Sequence, residues 1–214
     1  MKKFDFNTIS NFDEHILQSI PNYDILYNSI LRMSEFFVLP NKAIYDVGCS
    51  TGKLIIELQK QYPDNKIVGL DNSANLLPKL KKPIFVTTDL NNSYEFHNAC
   101  IIYSIFTLQF LRKEKRQDLI NNIYEGLCQG GAFIIAEKTF AKYPITQDVF
   151  TFSYYDYKKV SFTDAEILSK EKDLRKILKP NPVHENLKML NKAGFKTIQM
   201  FYKFFHFEAY LCIK

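Results

Sequence analysis

"YDVGCSTGK", residues 45–53, follows the short apolar run "AIYDV" (43–47) and leads into the periodic stretch "GKLIIELQKQY" (52–62). A strand, a glycine turn and a helix in that order form the opening of a βα unit. The turn itself has more than one chemical reading. Gly48-Cys49-Ser50-Thr51-Gly52 fits G-x-S-x-G, the turn that presents a nucleophilic serine in hydrolases. It also fits a glycine loop that lets the backbone approach a nucleotide-like ligand.

The flanking sequence extends the unit in both directions. Upstream, "YDILYNSILRMSEFF" (23–37) carries apolar residues at helical spacing after Pro21. Downstream, strands are predicted over 66–71, 84–89, 99–106 and 132–138, with a helix at 113–127 closed by the "QGG" of 129–131. A short helix is predicted over 73–82, kinked or ended early by Pro78. Helices over 144–159, 163–178 and 182–193 then precede two strand-like runs, 196–203 and 206–213, that read as a hairpin. Alternation of this kind predicts an α/β fold with a doubly wound, mostly parallel sheet and right-handed crossovers. The hairpin adds an antiparallel strand at the far edge. The 214 residues are read as one domain, with residues 1–40 as an N-terminal helical cover and 140–180 as an inserted helical lid.

Composition narrows the function classes. The formal net charge is +5, compatible with an enzyme of anionic metabolites, and no Lys/Arg block argues for nucleic acid. Cys49, Cys100, Cys128 and Cys212 lack C-x-x-C spacing, which predicts free thiols, no metal site and a cytoplasmic setting. No run approaches the roughly 18 apolar residues of a membrane span, and the acid-bearing N-terminus is not a signal peptide. Aromatic residues make up 15% of the chain, and their simplest use is packing.

Three tests separate the readings of the loop. A nucleophile elbow needs upstream strands and a glycine-rich oxyanion loop, but residues 1–44 contain no glycine and read as mostly helical. His97, His184 and His206 have no evident acid partner and read as structural. The nicotinamide fingerprint G-x-G-x-x-G is also absent, because Ser50 and Lys53 stand where glycines are needed. An adenosylmethionine loop, acid-x-Gly-x-Gly-x-Gly, is matched by Asp46-Val47-Gly48-Cys49-Ser50-Thr51-Gly52 with serine at the middle glycine. About 20 residues on, "VGLDNS" ends a strand with Asp71, an acid that can accept both hydroxyls of a ribose. "TTDLNN" then offers Asp89 for an exocyclic amine, with Leu90 as its apolar neighbour. Three strand-end features at one sheet edge favour the adenosyl reading.

Longer stretches narrow it further. "FDEHILQSIPNY" (12–23), "YDVGCSTG", "GLDNS", "FTLQFL" (106–111), "IYEGLCQGG" (123–131), "AEK" (136–138), "YYDYKK" (154–159), "DAEI" (164–167) and "LNKAGF" (190–195) run in order through nearly the whole chain. In these the sequence resembles the carboxy-S-adenosyl-L-methionine synthase family, of the class I methyltransferase kind. The resemblance implies binding of S-adenosyl-L-methionine, or its carboxylated product, and use of prephenate as second substrate. The sulfonium methyl is deprotonated to an ylide that captures carbon dioxide, phenylpyruvate is released, and the product serves tRNA wobble-uridine modification. It also implies a homodimer, no membrane and no direct nucleic-acid contact. The ligand contacts implied are Tyr23, Gly48, Cys49, Ser50, Asp71, Asn72, Asp89 and Leu90. Tyr23 would close over the methionine end through its hydroxyl; the resemblance assigns no catalytic residue here.

Two departures stand out. Ile105 occupies the place of an Asn that precedes "FTLQFL" in the family, and "SFT" (161–163) replaces its "GYS". Glu171 falls where the family pattern has an Arg for the new carboxylate, with Lys170, Lys172 and Arg175 nearby. A carboxylate there is expected to repel that group. An ordinary small-molecule methyltransferase and a non-catalytic adenosyl-binding protein are the other classes compatible with these changes.

Overall fold

The structure, a computed structural model, describes residues 12–214. One mixed sheet organises it. The strands are β1 (Ala43–Val47), β2 (Lys66–Asp71), β3 (Ile84–Thr87), β4 (Ala99–Ile105), β5 (Leu127–Phe140), β6 (Asn181–Pro182), β7 (Thr197–Phe204) and β8 (Phe207–Ile213). Their order is β3-β2-β1-β4-β5-β8-β7, with the two-residue β6 pairing the end of β5. The first five pair in parallel, and β8 lies antiparallel between β5 and β7. The expected doubly wound, mostly parallel sheet with a C-terminal hairpin is therefore present.

Alternation along the strands sorts side chains to two cores. Tyr45 and Val47 face one layer with Leu119, Ile120 and Ile123 of helix α4 (Lys113–Gly126) and Leu190 of α7 (Val183–Ala193). Ile44, Ile101 and Tyr103 face the other, against Leu26 and Ile30 of α2 (Tyr23–Ser34) and Ile55 and Leu58 of α3 (Lys53–Gln61). Central parallel strands buried on both faces carry near-continuous apolar runs, which is why "ACIIYSI" was legible as one. The remaining helices are α1 (Phe12–Ser19), which precedes α2, and α5 (Pro144–Lys158) and α6 (Asp164–Ile177), inserted between β5 and β6. A capping box between Thr163 and Glu166 starts α6.

The structure corrects several local expectations. Residues 73–82 form turns and irregular chain instead of a short helix. Pro78 removes a donor and pushes Leu77 toward extended backbone, so the turn closed by Leu76 N on Ser73 O does not grow into a helix. "QGG" does not cap α4: the helix ends at Gly126, Leu127 is already extended, and β5 runs through the glycines. Gly130 takes φ +75° inside that irregular start, a bulge-like role. The third strand stops at Thr87, leaving Asp89 in the following loop, and the fourth stops at Ile105 because Phe106 is left-handed at φ +57°. No helix among the described residues is long and apolar enough to cross a membrane. The four cysteines are free, and the described residues contain no metal-holding group of three or more His, Cys, Asp or Glu.

Candidate functional site

The order β3-β2-β1-β4-β5 reverses direction between β1 and β4, and at such a switch point the loops after the strands part to leave a crevice. A cavity of about 370 Å³ occupies it. Tyr23, Gly48, Cys49, Ser50, Asp71, Asn72, Asp89 and Leu90, the eight residues singled out from the sequence, all line this one space.

The loop after β1 has the geometry its glycines suggest. Gly48 has φ +83°, and a Cβ there would lie 2.1 Å from Thr107 Oγ1. Gly52 has φ +73°, and a Cβ there would lie 2.4 Å from the Phe85 ring. Both positions thus exclude a side chain on conformational and steric grounds. Ser50 replaces the middle glycine yet keeps a left-handed backbone, φ +50°. Its amide donates to Asp71 Oδ2 at 2.9 Å, while its buried hydroxyl has no hydrogen-bond partner. An orphaned hydroxyl on a cavity wall fits a polar ligand group.

Asp71 anchors the loop as well as facing the cavity. Its Oδ2 accepts from Ser50 N and its Oδ1 from Ser73 N at 2.8 Å, so each oxygen keeps one lone pair for a ligand hydroxyl. Asp89 is similar: Oδ1 accepts from the backbone and side-chain nitrogens of Asn91, which hold its carboxyl below the usual range. Its Oδ2 carries no such bond to Asn91. Leu90 beside it is buried, whereas Asn72 is exposed at the rim.

Two residues of this wall were not among the sequence candidates. Asp46, second-to-last in β1, is buried on the α2 side of the sheet. Burial, then the charge of Asp71, pushes its carboxyl up to about 7. Tyr23 packs near Phe106, and burial followed by Asp46 and Asp13 raises its hydroxyl well above the ordinary range. The sequence signal for Asp46 was present, as the acid that opens the loop motif.

Lys138 is the other, in the "AEK" stretch. Glu137 beside it points the opposite way and accepts from Leu108 N at 2.8 Å and Gln109 N at 2.9 Å, which fixes the "FTLQFL" segment. Burial raises Glu137 to about 8 against the opposing pull of those amides and Arg116. Arg116 in turn donates to the carbonyls of Gln109, Leu111 and Lys179, tying the same segment to the chain before β6. Ile105, Phe106 and Thr107 are thereby held at the cavity wall. Lys138 reaches the cavity with Lys170 of α6 and His15 of α1. Lys170 contacts His15 Nε2 and donates to Ser19 Oγ at 3.2 Å. Burial, with Lys170 and Lys158 nearby, lowers His15 to about 4, and burial with Lys158 lowers Lys170 to about 7.

Glu171 occupies a different place from the one its alignment suggested. It does not line the main cavity but a smaller one of about 40 Å³ behind it, where its carboxylate pairs with Lys138 at 3.7 Å. Its carboxylate faces Lys138 and not the main cavity. One step along α6 turns the side chain by roughly 100°, so Lys170 faces the cavity and Glu171 faces away.

Sequence similarity agrees with the layout. Residues 44–131 match the family model described as a methyltransferase domain. The chain is 33% identical to the carboxy-S-adenosyl-L-methionine synthase of Staphylococcus epidermidis, over 97% of this chain and 94% of that one. It is 33% identical to the enzyme of the same name from Methylococcus capsulatus, over 95% and 89%. Among solved structures, human N-acetylserotonin methyltransferase in complex with SAM superposes with a TM-score of 0.59 at 18% identity, over 94% of this chain and 54% of that one. A chain from the complex of the Haloferax volcanii Trm112 methyltransferase activator superposes at 0.67 and 10% identity, over 100% and 98%. These likenesses identify the fold as the class I methyltransferase type.

Proposed function

The chain belongs to the carboxy-S-adenosyl-L-methionine synthase family, and from that premise we propose that it binds S-adenosyl-L-methionine and carboxylates its methyl group with prephenate as the second substrate. Prephenate supplies carbon dioxide from its ring carboxyl and loses its ring hydroxyl, which leaves as water with the methyl proton; phenylpyruvate departs, and the carboxylated product serves tRNA wobble-uridine modification in the cytoplasm. The observation that carries this reading is a cavity with Asp46, Asp71 and Asp89 along the β1–β3 edge and Lys138 and Lys170 toward the β5 end.

The sheet order gives each group a place. Adjacent strands are about 4.8 Å apart, so three steps from β2 to β5 span about 14 Å, the scale of an extended adenosyl amino acid. The adenosine lies over β3 and β2, with Asp89 and Leu90 at the base and Asp71 and Asn72 at the ribose. The Gly48-Cys49-Ser50 turn approaches the amino-acid portion, and the Ser50 hydroxyl gains a partner. Asp46 and Tyr23 face the positively charged sulfonium, whose charge makes its methyl carbon acidic. Lys138 and Lys170 receive the carboxylate at the β5 end, where a cation is required. Such chemistry needs a dry pocket. Tyr154 and Leu174 of the 140–180 insert, and Ile16 and Ile20 of residues 1–40, line the cavity and support their roles as lid and cover of one domain.

The homodimer rests on α5. Ile145, Val149 and Phe152 are 71%, 52% and 64% exposed, and their spacing places them on one helix face suited to a second copy.

The test is incubation with adenosylmethionine and prephenate, with phenylpyruvate and carboxy-adenosylmethionine followed by mass spectrometry. Formation of both supports the synthase; methyl transfer, or binding without turnover, would refute it.

A further inference from the structure

Lys138 sits between two cavities. It lines the main one with Lys170 and Tyr154, and it lines the small one with Glu171, Arg175 and His206. Its Nζ lies 5.1 Å from the centre of the Tyr154 ring and 5.9 Å from that of Phe207, so aromatic faces confine it on the sides. Glu171 Oε1, 3.7 Å away, is buried and has no hydrogen-bond partner. The side chains of Lys138 and Glu171 are only 17% and 15% exposed, which places the pair in a medium where charge is weakly screened.

A carboxylate fixed behind an ammonium does two things. It compensates part of the cost of burying the charge, and at 3.7 Å, with no hydrogen bond made, it leaves the N–H donors of the ammonium uncommitted. With Glu171 on the small-cavity side, those donors are left for the main cavity. Arg175, one turn further along α6, is on the Glu171 side and does not line the main cavity.

We propose that Lys138 is the residue that selects a carboxylate-bearing ligand at the β5 end of the cavity, and that Glu171 is its positioning residue, a carboxylate acting from behind the cation. This rests on the functional reading above for the identity of the ligand. The device carries its own pH signature. Burial lowers the Lys138 ammonium, Glu171 raises it, and Arg175 lowers it. The other charged or titratable groups facing it are Lys158 of α5, Lys170 of α6 and His206 of the β7–β8 turn. His206 is held to about 3 by burial and the neighbouring lysines, so it stays neutral above that pH. Removing the Glu171 charge therefore moves the loss of the Lys138 charge to lower pH.

Calorimetric titration with adenosylmethionine and with carboxy-adenosylmethionine, from pH 6 to 10, tests this without requiring turnover. The wild-type protein prefers the carboxylated ligand, and K138M lowers the ratio of the two affinities about tenfold or more. K138R keeps the preference and flattens its fall at alkaline pH. E171Q shifts that fall to lower pH, and E171D restores part of the shift. Equal affinities in the wild type, an unchanged ratio in K138M, or an E171Q profile that superposes on the wild type would each overturn the proposal. Preference for the carboxylated ligand in a protein that forms no phenylpyruvate from prephenate would leave this pair standing and remove the synthase reading instead.

Discussion

Replacing Asp46 with asparagine sets fold stability against ligand binding in a measurable way. The carboxyl is held up to about 7 by burial and by Asp71, against 3.8 for a free aspartate. Between those values the folded chain binds a proton that the unfolded chain has lost. Stability contributed by the neutral form is therefore lost as pH rises from about 4 to about 7, and stays lost above it. Three pKa units at about 1.4 kcal/mol each set the cost of the ionised carboxylate at about 4 kcal/mol. D46N keeps the shape without the charge, so at pH 8 the ligand-free variant is more stable than wild type by up to about 4 kcal/mol. For a chain of this size that is roughly 10 °C in melting temperature. At pH 4 the two proteins melt together.

The same substitution costs binding. A sulfonium ligand favours the ionised carboxylate, so wild-type affinity falls about tenfold for each pH unit below 7, while D46N affinity is weaker and flat from pH 5.5 to 8. Thermal melts of both ligand-free proteins at pH 4 and 8 supply the stability difference, and calorimetric titration supplies the affinities. A melting difference between D46N and wild type that does not change between pH 4 and 8 would refute the reasoning. A wild-type affinity that is indifferent to pH would do the same for the assigned ligand charge.

Other perturbations follow from single contacts. Glu137→Ala strands the buried Leu108 and Gln109 amides and lowers stability by about 2–4 kcal/mol in urea denaturation; E137Q, with one acceptor oxygen left, falls between. Ser50→Gly leaves stability within about 1 kcal/mol of wild type because Ser50 is already left-handed, whereas S50V, β-branched at φ +50°, loses about 2 kcal/mol. Equal melting temperatures for S50G and S50V would argue against that loop geometry. Phe152→Asp on the exposed face of α5 converts the proposed dimer to a monomer in light scattering; a wild-type monomer would remove the proposal.

Much of this protein was determined by local pattern. Apolar runs with period 2 or 3.6 marked most strands and the longer helices, because burial on both faces of a parallel sheet leaves few other sequences possible. Gly48, Gly52, Asp71 and Asp89 were legible because each lies at a strand end or in the loop that follows one, where chain order already predicts the edge of the sheet. Over residues 73–82 apolar spacing predicts a short helix that Pro78 kinks or ends early; the effect of the proline is the stronger, and no helix forms. "QGG" was misread because a glycine that ends a helix and one that kinks a strand look alike in sequence.

What only the tertiary structure decided is the charge pattern of the far end. Lys138 and Glu171 are 33 residues apart in the chain, and nothing local signals that they meet. Alignment put Glu171 where the family pattern has an Arg; the roll of α6 turned it away and set Lys170 in the cavity, which Lys138 reaches from β5. The loop "YDVGCSTGK" could announce a ligand from sequence because its meaning lies in backbone conformation. The sign of the charge at the β5 end of the cavity could not be read that way, because it depends on which side of a packed helix each residue presents.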